Sequence, residues 1–155
     1  MSLVTAQEYI DRWDYLETGR LLTRNGVVDD TTVDTPEGYE NVMSSGGSLV
    51  TDVETALRVV LDQAEAFVEA YTTNLYTFPI TKDGFNTSTP EIIKYIVLVF
   101  ARYYLHDQNY QREEIPEVVF VMYDEYKETL MKIDTGEIEL ESVDKDQEDI
   151  TNYYI

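Results

Sequence analysis

The single histidine of this 155-residue chain, His106, is followed directly by Asp107. An imidazole beside a carboxylate is the raw material of general-base catalysis. Neighbouring residues on a helix point in different directions, so sequence adjacency does not make a dyad. The reading is a solvent-facing or helix C-terminal histidine, whose cation would meet the negative end of the helix dipole. Two acidic groups, Asp29-Asp30 with Asp34 and the run from Asp144 to Asp149, offer oxygens to a divalent cation. A calcium site takes about six to eight oxygens from a shaped loop, and the EF-hand spacing is absent, so solvated charge is the reading. No Gly-x-Ser-x-Gly, P-loop, dinucleotide fingerprint or His-Glu-x-x-His motif occurs. With no cysteine, a disulfide framework and a thiolate metal site are both excluded. The expectation is a protein without catalysis, cofactor or metal.

Charge narrows the setting further. Acids outnumber bases by 31 to 11, for a formal charge of −20. DNA binding gains from counterion release to Lys and Arg, so nucleic acid is excluded as a docked ligand. An anionic membrane surface is disfavoured for the same reason. Three explanations stay open: plain solubility, a DNA mimic that inhibits a host DNA-binding protein, and a surface that DNA passes without sticking. No apolar run approaches the roughly 18–20 residues that cross a bilayer. The longest, Tyr95 to Ala101, reads as a buried helix segment, and the N-terminus lacks the pattern of a signal peptide. An intracellular or virion-associated protein is expected.

The elements that must carry any function are helical. Thr5 and Glu8 form a capping-box pattern ahead of Tyr9, Ile10, Trp13 and Leu16, predicting a helix from Ala6 to Glu17 that Gly19 stops. From Thr23 to Val50 the glycines, Pro36 and serines predict a long surface loop, with Leu21-Leu22 and Val27-Val28 as brief strands. Thr51 with Glu54 caps a second helix, whose stripe runs from Val53 to about Asn74. Lys82-Asp83-Gly84-Phe85 reads as a hairpin tip or protruding loop. Thr89 as N-cap with Pro90 starts a third, central helix, apolar over much of its circumference, and Asp107-Gln108-Asn109 breaks it. A fourth runs from near Pro116 to Gly136. Beyond it, Glu137-Ile138-Glu139-Leu140-Glu141 alternates, and an acidic segment ends in the apolar tip Ile150 to Ile155. The fold expected is mainly α: a four-helix bundle-like core with long loops, a short β or extended segment and an acidic C-terminal arm. Residues 1–140 form the domain, with a loop inserted at 23–50, and 141–155 form the arm.

The residue pattern resembles a known family. The aromatic bend Asn74-Leu75-Tyr76-Thr77-Phe78-Pro79-Ile80, the Thr89-Pro90 start, the buried Ala101-Arg102-Tyr103-Tyr104-Leu105, and the Tyr123, Tyr126, Leu130 helix ending in Ile133-Asp134-Thr135-Gly136 are similar to the head–tail connector (adaptor) proteins of tailed bacteriophages, including the Mu-like small neck proteins. The resemblance implies a ring of identical subunits, commonly about twelve, seated beneath a capsid portal and made in the host cytoplasm. It implies as partners other copies, the portal, and the next neck or tail component, with DNA passing through unbound. Extended loops and termini would grip those partners. Ile150, Tyr153, Tyr154 and Ile155 in the tail, and Lys82 and Phe85 in the loop, are the candidate contact residues. The tail tip has no core of its own, which suits burial by a partner through strand addition or an apolar groove. Tyrosines number thirteen against five phenylalanines and one tryptophan, a bias suited to interfaces. For Tyr71, Tyr103, Tyr123 and Tyr126 the favoured reading is nonetheless a half-buried core position with the hydroxyl reaching water, whereas for Tyr153 and Tyr154 it is an interface. Another neck or tail-completion protein is the nearest alternative within the same setting.

Overall fold

A computed structural model describes residues 3–29, 33–72 and 89–140. Helix α1, Ala6–Trp13, begins with the expected capping box: the Glu8 amide donates to Thr5 Oγ1 at 3.1 Å, and the Thr5 amide donates to Glu8 Oε1 at 3.2 Å. It stops earlier than expected. Asp14 takes φ 72 and ψ 165, a backbone region that disfavours any side chain. The compensation is local, because Asp14 Oδ1 accepts from the Leu16 and Glu17 amides and so caps α2, Tyr15–Arg24.

Gly19 does not stop a helix; it sits buried inside α2. A Cβ there would overlap the ring of Tyr39, so the glycine is a packing notch rather than a terminator. Gly19→Ala gains about 1 kcal/mol of helix propensity. Overpacking against an aromatic ring costs roughly 1–3 kcal/mol. We expect net destabilisation, read as a lower denaturant midpoint; an unchanged or higher midpoint would mean that Tyr39 moves aside freely.

Leu21 and Leu22 are not strand residues but buried α2 residues. Val27 and Val28 follow in a turn, their amides both donating to the Leu22 carbonyl. The expected loop at 23–50 is also largely structured. Thr35 accepts from the Gly38 amide, Pro36 occupies the first turn, and α3 runs over Pro36–Met43. This is the same Thr-Pro start signal seen at Thr89-Pro90, masked in the sequence by Gly38 three residues on. Tyr39 and Met43, one turn apart, are buried, so the segment contributes to the core after all. A two-residue hairpin follows, β1 (Ser44–Ser45) paired antiparallel with β2 (Ser48–Leu49). Gly46 and Gly47 both have positive φ, as a tight two-residue turn requires.

The long helices form the scaffold. Helix α4, Thr51–Thr72, starts at Thr51 itself, and the Glu54 amide donates to the Val50 carbonyl, so Thr51 lies one position inside the cap predicted for it. Helix α5, Glu91–Asn109, has Pro90 rather than Thr89 at its N-cap position and continues through the polar triplet 107–109. Asp107 and Gln108 simply face solvent at its end. Helix α6, Glu117–Asp134, closes at Thr135 and Gly136 (φ 81). A 3-10 turn at Arg112–Glu114 links α5 to α6.

Helix α5 packs most extensively on α4 and next on α6, with α1 and α2 also against it. Its Ile93, Ile96, Val97, Leu98, Val99, Phe100, Ala101 and Leu105 are all buried, which makes it the central helix. The mainly helical architecture with a short β segment is therefore as the sequence predicts. The alternation after α6 resolves in the same way, for Ile138 and Leu140 turn to the core while Glu137 and Glu139 face out.

Candidate functional site

Tyrosine lines the seam between α5 and α6. Tyr103 stacks on Tyr123 with centroids 4.1 Å apart, Phe100 meets Tyr123 at 5.1 Å, and Tyr95 meets Tyr126 edge-on at 5.0 Å. Burial, with help from neighbouring Tyr123, pushes the Tyr104 hydroxyl well above the ordinary phenol range. Tyr71, Tyr103, Tyr123 and Tyr126 are all half-buried, as a core-flanking role predicts.

A groove of about 600 Å³ opens where α1, α2 and α5 meet the turn leading into α6. The α1–α2 kink at Asp14 sets Trp13 on one side and Glu17 on the other. Trp13 Nε1 donates to the Leu98 carbonyl at 3.1 Å, which fixes the indole against α5. Arg102, from α5, grips Glu17 with two bonds: Nε to Oε2 at 2.9 Å and Nη2 to Oε1 at 2.7 Å. The same guanidinium lies 4.3 Å from the Trp13 ring centroid.

His106 stands one turn beyond Arg102 and lies close to Glu17 as well. Its Nε2 is 3.5 Å from Glu17 Oε2, a contact too poorly placed for a hydrogen bond, and neither ring nitrogen has a hydrogen-bond partner among the described residues. The ring packs 5.9 Å from Tyr110. The histidine is in the last helical turn, as expected, but it is only 3% exposed and not solvent-facing. The sequence could not show this, because its carboxylate neighbour in space is Glu17, not Asp107.

Electrostatics tie the group together. Burial alone would raise the Glu17 carboxyl, but the His106 and Arg102 side chains outweigh it and hold the pKa below its ordinary value. Burial, then the Glu17 charge, pushes the enclosed Tyr9 hydroxyl far up. The Glu17 shift has a defined consequence. A carboxyl with a depressed folded-state pKa contributes stability that is full above its unfolded value of about 4.3 and is lost as pH falls through the lower folded value. Glu17→Gln should flatten the acid limb of a stability-versus-pH curve below about pH 4.5. An acid limb identical to that of the unchanged protein would mean that Glu17 carries no such linkage.

Lys82 and Phe85, the bend at 74–80, and Ile150, Tyr153, Tyr154 and Ile155 lie outside the described residues. The groove itself had no sequence signal, since Glu17 and Arg102 are 85 positions apart. Of the acidic clusters, Asp34 is engaged by Arg20 at 2.7 Å, while Asp30 and Asp144 to Asp149 are outside the described residues. Among the described residues no three His, Asp or Glu side chains are grouped as a metal site would need, and no helix is long and apolar enough to cross a membrane.

Comparison with known proteins supplies the setting. Neither the curated proteins nor the solved structures contain a match to the chain. The family model described as "Bacteriophage Mu, Gp36" matches residues 4–152, nearly the full length and including α1 to α6. The chain thus belongs to the bacteriophage Mu Gp36 family.

Proposed function

We propose that this protein is a structural component of the phage virion, a head–tail connector that assembles as a ring under the portal and performs no catalysis. The observation that carries the proposal is the family match over residues 4–152. The fold is consistent with it. A rigid helical core leaves Val118 and Val121 on α6 more than half exposed, at 53% and 52%. Single apolar residues on a surface need no explanation, but two on adjacent turns of one helix face suit packing against a neighbour. A ring requires such contacts to be heterologous, one face of a subunit fitting a different face of the next.

The charge fits the proposed conduit. At −20 per chain, a closed ring of about twelve copies would carry charge on the order of −240 before counterions. Carboxylates facing a lumen repel phosphate within roughly 8 Å at physiological salt, so DNA would find no place to stall. A DNA mimic would share the charge but would stay a small oligomer bound to a basic host protein.

Val121→Asp should leave the fold intact and remove most of the assembled species from a sedimentation profile. Assembly at the level of the unchanged protein would take the α6 face out of the subunit interface.

A further inference from the structure

Arg12 differs from the other arginines whose side chains are described. Arg20 holds Asp34, Arg24 holds Glu114, Arg58 holds Asp62 and Glu65, and Arg102 holds Glu17. Arg12 holds no carboxylate among the described residues, in a chain where acids outnumber bases 31 to 11. Its guanidinium lies instead 4.6 Å over the Tyr95 ring and 5.4 Å from that of Trp13, at the wall of the groove. Stacking keeps the planar fork oriented and leaves its N–H donors open, the arrangement that accepts a carboxylate bidentately. A second, independent feature points the same way. His106, 3% exposed, lines the same groove; its Nε2 is 3.5 Å from Glu17 Oε2, and neither ring nitrogen makes a hydrogen bond among the described residues. A groove holding a guanidinium without a carboxylate, beside an imidazole with hydrogen-bonding capacity to spare, is fitted for an acidic ligand.

We propose that this groove receives the acidic C-terminal segment, residues 141–155, of a neighbouring copy of the chain. This rests on the ring reading above and names one of its contacts. Charge favours that occupant: the segment carries Glu141, Asp144, Asp146, Glu148 and Asp149 against the single Lys145. Length allows it. Fifteen residues follow Leu140 and span up to roughly 50 Å when extended. Helix α5, with 19 residues, is only about 28 Å long, so the segment can reach beyond its own subunit. Apolar area also matches. Ile150, Tyr153, Tyr154 and Ile155 need a wall to cover them, and Trp13, Leu16, Tyr110 and Pro116 line one. In the docked state Arg12 clamps a carboxylate of the segment while the aromatic tip lies along the Trp13 and Tyr110 side.

The chain has no cysteine, so introduced thiols meet no native competitor, and each single-cysteine variant run alongside reports the like-with-like pairs to be subtracted. Glu114→Cys in the groove wall and Asp149→Cys in the segment, combined in the full-length chain, are oxidised mildly and run on a denaturing, non-reducing gel. The expected result is a ladder of covalent multimers rising by one chain per step. Adding Arg12→Glu, an exposed position whose effect on folding circular dichroism checks, should lower the cross-linked yield roughly tenfold. Absence of cross-links, cross-links confined within single chains, or a yield indifferent to Arg12→Glu would each overturn the proposal. Native mass of the unsubstituted chain reads the ring separately. A single-copy mass with an Arg12-dependent ladder would sink the ring and leave the groove contact standing; a ring without the ladder would do the opposite.

Discussion

Phe100→Ala should lower the unfolding free energy by about 3–5 kcal/mol, the cost of emptying an aromatic site in a packed core. Phe100 is fully buried at the middle of α5, the helix against which α4 and α6 both pack. Its ring meets Phe67 of α4 edge-on at 5.4 Å and Tyr123 of α6 at 5.1 Å, so truncation withdraws contacts from both neighbours at once. Neither partner fills the space readily. Phe67 is itself packed on Tyr71, and Tyr123 is stacked on Tyr103. For a domain of this size the loss corresponds to a fall in Tm on the order of 10 °C. Calorimetry on the variant provides the check. A fall of under about 2 °C would mean that the aromatic seam between α5 and its neighbours is not the centre of the fold.

Glu65 carries the second large effect, through charge rather than volume. Its carboxylate lies in α4 with a side chain only 8% exposed. Oε2 accepts from the Leu3 amide at 3.1 Å, the Val4 amide at 3.2 Å and Arg58 Nη2 at 2.8 Å. Arg58 Nη1 in turn donates to the Val4 carbonyl at 2.7 Å. One carboxylate therefore satisfies two buried amides of the chain entry and holds the arginine that binds the same segment. Removing one member of a buried, hydrogen-bonded pair leaves the others desolvated and unpaired, at a cost of roughly 3 kcal/mol. Glu65→Ala should show that loss in chemical denaturation, with faster hydrogen exchange at the Leu3 and Val4 amides ahead of the helices. Exchange at those amides that stays as slow as before would mean that the entry segment is held by the burial of Leu3 and Val4 alone.

Both effects belong to the framework, and the framework was the part of this protein most open to reading from the chain. The capping box at Thr5 and Glu8, the apolar circumference of α5 and the Gly136 stop are local signals, each complete within a few residues. They came through because nothing distant overrides them. Gly19 failed as a stop because its meaning is set by Tyr39, 20 positions away, whose ring takes the space a Cβ would fill. The 23–50 segment read as loop because its helix is short and polar outside, with Tyr39 and Met43 as its only buried residues. Asp14 gave no warning of the kink, since only Gly is expected at such a φ and ψ.

The groove was illegible for a related reason. Arg102 and His106 stand one turn apart on α5, but only the fold joins them to Glu17, 85 positions before Arg102, and to Trp13. Composition did bear on it indirectly. In a chain with so few bases, each arginine is expected to meet a carboxylate, and Arg12 is conspicuous for meeting none among the described residues. That inference needs the three-dimensional pairings of the others before it can be made.

The central claim is assembly into a connector ring, and mass measures it most directly. The full chain is mixed with a portal ring of its own phage and the complex is weighed by native mass spectrometry or sedimentation. The account predicts a closed, ring-sized complex with a fixed number of 18.0 kDa copies per portal. A protein that remains a single copy beside an unchanged portal, at every concentration, would contradict it.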